Sequence, residues 1–255
     1  MNQYKGKGID DALQVKDADR RLQSKNRDCE AAANKVTVMI NQLDPQTKYL
    51  RQILNLLLCV LVIRVTVAVV LNYRSYLPPD FASEFLLDRE SYFFGCYQWA
   101  FYTHIFSGPF VLLMGMVLVS ERFQTRFRHW HRILGRVQTV CVLFLVIPSG
   151  LWMAFYAESG LIASTGFASL AIATGLCVAL GFRAAIRRRF VDHRRWMWRC
   201  YLLLSSAVVL RIMGGIVTVM EFNTEWSYPF AAWASWLFPL FVFETIERFR
   251  ARSQS

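Results

Sequence analysis

Four histidines are the residues of this chain best suited to metal or redox chemistry, and two of them are placed to act together. His131 lies just before the third apolar span of the sequence, and His193 lies just before the fifth. Two imidazoles at similar depth on different helices can bind one haem iron from both sides. Such an iron keeps no open coordination position, which suits electron transfer. The pattern therefore predicts a b-type haem between His131 and His193.

Arginines and a glycine near these histidines fit the same hypothesis. Arg132, Arg136 and Arg194 are expected to neutralise the haem propionates, and Gly135 would let a flat macrocycle approach its helix closely. A zinc site is disfavoured, because zinc takes three or four nitrogen, sulphur or carboxylate ligands and Asp192 is the only acid nearby. No metal other than haem iron is expected.

A simpler interpretation of the histidines stays open. His129, His131 and His193 are then interfacial residues that contact lipid phosphate beside their arginine neighbours. The sequence has no glycine-rich phosphate loop, nucleophile elbow or paired helical Glu and His. No familiar enzyme class is indicated, and whether the protein is an enzyme stays open.

His104 and Arg211 form a second candidate site. They lie about two turns and about two to three turns from the outer ends of the second and fifth spans. A charge inside a bilayer is costly, so Arg211 is expected to face a partner or a ligand. Its candidate partners are His104, Asn223, Glu221 and Glu225. These residues either hold the helices together through internal hydrogen bonds or line a pocket for a quinone or another small molecule.

Two functions follow from these sites. The first is a membrane redox protein with one haem and an outer pocket. The alternative is a non-redox protein that binds, senses or transports a small molecule or lipid through the pocket around Arg211 and His104. Arg64, in the first span, is expected to pair with Glu244 of the sixth, unless Glu244 pairs with Arg248 one turn later.

Six apolar stretches must position these residues. Each approaches the roughly 20 residues that a helix needs to cross a hydrocarbon core. They lie at 53–72, 97–119, 133–156, 163–182, 197–220 and 229–247. With 55% hydrophobic residues, the chain has too little polar sequence to coat a soluble core. The predicted fold is an all-α bundle of six transmembrane helices over residues 51–250, with spans two to five as its core.

Basic residues predict the orientation of this polytopic protein. The connections and the C-terminal segment on one side carry five, seven and three arginines, against two, none and none on the other side. Positive residues mark the cytoplasmic side, so both termini are expected to be cytoplasmic, in a bacterial inner membrane with anionic lipid headgroups. The net charge of +11 is thereby explained without nucleic acid.

Residues 1–50 have a different composition. They carry nine Lys or Arg and seven Asp or Glu, with no apolar run. This segment is expected to be a flexible cytoplasmic tail. The first apolar stretch comes too late for a secretory signal, so the first span is expected to be a retained anchor.

Three short motifs carry a resemblance to a known family. HIFSGP begins at His104, HRILGR at His131 and HRRWMWR at His193, and Arg211 follows them. The chain resembles a bacterial family, domain of unknown function 2306, over about residues 97–245. The resemblance implies a multi-pass membrane protein with these histidines and arginines as its characteristic positions, and it implies no activity. His129 lies outside the motifs, which makes His131 the better haem candidate of the two.

Overall fold

The structure is a computed structural model, and it describes residues 45–83, 85–221 and 224–252. In these ranges the regular structure is helical, apart from one isolated bridge between Tyr76 and Pro79. The six long helices are α1 (Pro45–Leu71), α2 (Cys96–Val119), α3 (Arg128–Ala154), α4 (Gly160–Ile186), α5 (Phe190–Val219) and α6 (Ser227–Arg252). Short helical turns cover Asn72–Ser75, Glu90–Phe93 and Glu121–Arg126. The predicted all-α fold is confirmed.

Six helices in the described part of the chain are long and apolar enough to cross a membrane, as predicted. All six begin before their apolar stretches, and α1, α3 and α5 do so by at least five residues. Helix α3 starts at Arg128 and α5 at Phe190, because the helical backbone continues through polar residues that hydropathy does not count. His131 and His193 therefore lie in the first turns of their helices, and the expectation that they precede the helices is corrected.

Large apolar side chains cover the outside of the helices. Phe144 is 69% exposed and Phe241 is 71% exposed. A water-soluble protein rarely exposes contiguous apolar surface of this kind, whereas a lipid environment accepts it. The exposed surface agrees with six helices in a membrane.

Four helices pack in a closed ring. Each of α2, α3, α4 and α5 packs against the next, and α5 packs back against α2. The ring encloses Val111, Val142, Val178 and Leu203, one from each helix and none more than 2% exposed. Helix α6 lies outside the ring against α4 and α5, and its Trp236 joins the same apolar cluster. Spans two to five thus form the core that the sequence predicts.

By its internal contacts the described part of the chain divides into two units, with the boundary between Leu58 and Cys59. Helices α2 to α6 belong to the second unit. So does the later part of α1, where Val62 packs with Leu112 of α2 and Val208 of α5. Of the predicted tail, residues 1–44 lie outside the described residues, and residues 45–50 belong to α1.

Helix α3 changes its winding in the middle. A π-helical turn at Val142–Val146 separates the α-helical segments Arg128–Cys141 and Ile147–Ala154. The backbone N–H of Ile147 donates to the carbonyl of Val142, and Pro148, which has no N–H, follows. The extra residue turns the end of α3 by about 100° relative to its start. This rotation sets which side chains near the end of α3 face α2.

The connection between α1 and α2 is packed against the helices by aromatic residues. Leu86, Phe93, Tyr97 and Phe101 are each 2% exposed or less and form one cluster. Tyr102 also donates a 2.7 Å hydrogen bond to the carbonyl of Tyr76. The end of α1 is therefore held in place beside α2.

Candidate functional site

The basic end of the helices, where the arginine-rich connections lie, brings two histidines together. His131 is the fourth residue of α3 and His193 is the fourth residue of α5. Their backbone N–H groups donate at 2.9 Å to the carbonyls of Phe127 and Arg189, so the two helices start in the same way. The two imidazoles lie close enough for electrostatic interaction across the ring of helices.

His193 is held by a neighbouring helix in one orientation. Its Nδ1 lies 2.8 Å from the carbonyl oxygen of Gly181 in α4. Because a carbonyl only accepts, Nδ1 carries the proton and donates it, which leaves the lone pair on Nε2. Histidines that bind metals use this arrangement, in which a backbone carbonyl fixes the ring and the other nitrogen faces the metal.

His131 has an unmet hydrogen-bonding requirement. Its Nδ1 is buried and has no hydrogen-bond partner among the described residues. One turn later, the hydrogen of Gly135 faces open space, since a Cβ built there would have nothing within 4 Å. His131 and Gly135 are one turn apart and so share a face of α3.

The three arginines expected at haem propionates differ in their contacts. Arg132 donates to the carbonyl of Arg128 at 3.3 Å, and within the described residues neither Arg132 nor Arg136 pairs with a carboxylate. Both are exposed. Arg194, by contrast, forms an ion pair with Glu121, which precedes α3. Arg132 and Arg136 are thus the arginines available to another anion.

Glu244 pairs with an arginine that the sequence analysis did not choose. Its carboxylate accepts two hydrogen bonds from Arg199 of α5, at 2.5 and 3.1 Å. The expected pairing with Arg64 or Arg248 is corrected, although Arg248 still interacts with Glu244 through its charge. A bidentate pair of this kind joins α5 firmly to α6.

His104, at the other end of the ring, contacts the end of α3. Its Nδ1 lies 3.1 Å from Oγ of Ser149, and its ring packs against Gly150. The Ser149 hydroxyl donates to the carbonyl of Leu145 at 2.5 Å, so its oxygen accepts from His104 Nδ1. The lone pair of His104 is therefore on Nε2. The π-helical turn of α3 brings Ser149 to this position.

Arg211 lies near His104, as their predicted common depth implies, and close enough for electrostatic interaction. Its guanidinium makes one hydrogen bond among the described residues, at 3.2 Å to the carbonyl of Ala207 in its own helix. Of its expected partners, Asn223 lies outside the described residues, and neither Glu221 nor Glu225 pairs with it. The guanidinium thus keeps most of its donors without a protein acceptor in that part of the chain.

Two tyrosines after α1 complete the surroundings of Arg211. Tyr73 and Tyr76 both interact with it electrostatically. Tyr73 donates its hydroxyl to the carbonyl of Ile105, and its ring packs edge-on against Phe106 at 5.3 Å between centroids. The tyrosines were not chosen from the sequence, because nothing in it indicates that the end of α1 folds against α2.

Arg89 is a buried arginine that the sequence analysis counted only as a loop charge. It is 8% exposed and donates to Tyr97 Oη at 3.2 Å and to the carbonyls of Tyr156 at 3.1 Å and Phe85 at 2.7 Å. Burial acts to lower its pKa, but the contacts with Tyr97 and Tyr92 outweigh this and raise the pKa above its usual value. Arg89 ties the first connection to α2 and to the end of α3.

The described residues contain no group of three or more His, Cys, Asp or Glu side chains that could hold a metal ion. Haem needs fewer protein ligands, because the porphyrin supplies four of the six. His131, with its Nδ1 lacking a partner among the described residues, and His193, with its ring held by Gly181, are the residues that would hold such a group.

The structural features alone define the class of this protein. Six membrane-capable helices, a closed ring of four of them and polar residues at both ends of the ring describe an all-α, multi-pass membrane protein.

Residues 101–246 match a family described as "Predicted membrane protein (DUF2306)". The chain belongs to this family, as its motifs suggested. A search of curated proteins found no match, and a search of solved structures found none.

Proposed function

We propose that the protein is a membrane redox protein that holds one b-type haem between His131 and His193. The haem would supply one-electron redox chemistry when bound. The observation that carries the proposal is that His131 and His193 lie in the first turns of α3 and α5 and are close enough for electrostatic interaction. The histidines stand on opposite helices of the ring, so a ligand between them would be enclosed by protein.

The two histidines have complementary surroundings that support this function. The Gly181 carbonyl holds the proton of His193 on Nδ1, so Nε2 is free to bind iron. His131 has a buried ring nitrogen that no group of the described residues satisfies, and Gly135 leaves room one turn further along. Arg132 and Arg136 are exposed nearby and would bind the propionates, whereas Arg194 would keep its pairing with Glu121.

The orientation belongs to the same proposal. The basic end would face the cytoplasm, with both termini on that side of a bacterial inner membrane, because fifteen arginines lie at this end. Anionic lipid headgroups would contact these arginines.

A reduced-minus-oxidised absorbance spectrum of the detergent-purified protein, expressed with ample haem, tests the proposal. We expect a b-type band at near-stoichiometric intensity. His193→Ala and His131→Ala should each lower bound haem at least about tenfold, since both ligands are needed. His129→Ala is the matched control and should keep the band.

Membrane insertion of each variant, measured as the yield of extracted protein, separates loss of haem from loss of folding. Stoichiometric haem in His193→Ala would exclude the proposed ligation. A featureless spectrum of the unchanged protein would favour the non-redox alternative.

A further inference from the structure

We propose that Arg211 and His104 form a binding site, open to the lipid, for a membrane-dissolved molecule with a hydroxylated aromatic head group of the quinol type. Arg211 donates to one oxygen of the head group, and His104 accepts a hydrogen bond from a hydroxyl. The site stands apart from the proposed haem. The site consists of these two side chains and the open positions beside them.

Arg211 supplies the donors. A guanidinium has five N–H groups, and Arg211 uses one on the carbonyl of Ala207. No carboxylate of the described residues pairs with it. An arginine at membrane depth with unused donors is costly unless an acceptor is present. An oxygen-rich head group is such an acceptor.

His104 supplies an acceptor, which narrows the class of ligand. Because its Nδ1 proton is donated to Ser149, Nε2 carries a lone pair, and the ring lies close enough to Arg211 for electrostatic interaction. A carboxylate or a quinone offers only acceptors and would leave this lone pair without a donor. A quinol offers both a hydroxyl proton and an oxygen acceptor, so it satisfies both side chains.

Glycines provide the space for the head group. Gly108 lies one turn after His104 on α2, and Gly215 lies one turn after Arg211 on α5. A Cβ built on either would meet nothing within 4 Å. Residues one turn apart share a helix face, so both open positions lie beside the polar side chains.

The site opens toward lipid. Arg211, Gly214 and Gly215 are exposed, and Ile216 is 55% exposed. In a membrane these surfaces face acyl chains, which would solvate an apolar tail. The ligand would therefore enter sideways from the bilayer.

The haem hypothesis is not needed for this site. Ser149, which contacts His104, lies eighteen residues after His131 along α3, a rise of roughly 27 Å at 1.5 Å per residue. The two sites thus lie at opposite ends of the ring, and each can be tested without the other.

The test is equilibrium dialysis of detergent-purified protein against decyl-benzoquinol, decyl-benzoquinone and palmitate. We expect the quinol to bind more tightly than the quinone, and palmitate to bind weakly. Arg211→Gln should weaken quinol binding at least tenfold. His104→Leu should abolish the preference for quinol over quinone.

Two further variants keep the result clear of folding effects. Gly215→Leu adds a side chain where a Cβ would meet nothing within 4 Å, so it should retain the fold and lose quinol binding. Arg64→Gln removes another exposed arginine of a membrane helix and should bind quinol normally. Equal quinol binding by the unchanged protein and Arg211→Gln would overturn the proposal. Arg211-dependent binding of palmitate without quinol binding would overturn the ligand class.

Discussion

Three arginines near the ends of the helices differ in their hydrogen-bond partners. Arg199 has a carboxylate partner in Glu244, and Arg89 has tyrosine hydroxyls and backbone carbonyls. Arg211 has only the carbonyl of Ala207 among the described residues. Because an unpaired charge in a membrane is costly, the first two arginines are structural and the third is suited to a ligand.

Arg89→Met tests the structural assignment. The substitution leaves the Tyr97 hydroxyl buried without its donor and removes the donor to the half-buried Tyr156 carbonyl, so we expect the free energy of unfolding to fall by about 2–4 kcal/mol. Thermal unfolding in detergent measures this change in stability. Arg74→Met, at an exposed arginine on the same side, should change stability little. An equal loss in both variants would contradict the role of Arg89.

For single residues, the sequence predicts how far along its helix a residue lies. It does not predict which neighbouring helix the side chain faces. The positions of His104 and Arg211 in the spans predict a similar depth, and the two side chains lie close enough for electrostatic interaction. Glu244, however, pairs with Arg199 and not with Arg64. Hydropathy locates a residue along a helix, but the rotation of the helix decides its partner, and that rotation depends on packing.

The helices were predictable as elements, but their detailed winding was not. All six lie where the apolar stretches indicate. The π-helical turn at Val142–Val146 has only Pro148 as a sequence signal, and that proline equally fits an ordinary kink. Without the turn, the position of Ser149 against His104 does not follow from the sequence.

Two glycines of α2 test how closely this helix packs. A Cβ on Gly115 would lie 3.1 Å from the ring of Tyr201 and 3.3 Å from Nε2 of Gln138, which is fixed by its bond to the Val111 carbonyl. Gly115→Ala should therefore lower the free energy of unfolding of the protein by about 1–3 kcal/mol. Gly108→Ala meets nothing and should stabilise the helix by up to about 1 kcal/mol.

Thermal unfolding of the two alanine variants under the same detergent conditions gives the comparison. The expected result is a lower midpoint for Gly115→Ala than for Gly108→Ala. Equal midpoints would mean that α2 and α5 are not as close as the contact between Gly115 and Tyr201 requires.

At the scale of the whole molecule, the ring of four helices separates two polar sites. The histidine pair lies at the basic end, and His104 and Arg211 lie near the other. Apolar side chains such as Val142 and Leu203 fill the space between them. This core keeps the two ends chemically independent, so a substitution at one site is expected to leave the other intact.

The distribution of arginines makes the orientation of the molecule testable. The connection between α3 and α4 has no basic residue, whereas that between α4 and α5 includes Arg187, Arg188 and Arg189. Since positive residues stay on the cytoplasmic side, a phosphatase active only outside the cytoplasm should be active when inserted after Glu158 and inactive when fused after Arg252. Replacing the three arginines by glutamine should weaken this difference. The reverse pattern of activity in the unchanged chain would place the basic end, and the histidine pair with it, outside the cytoplasm.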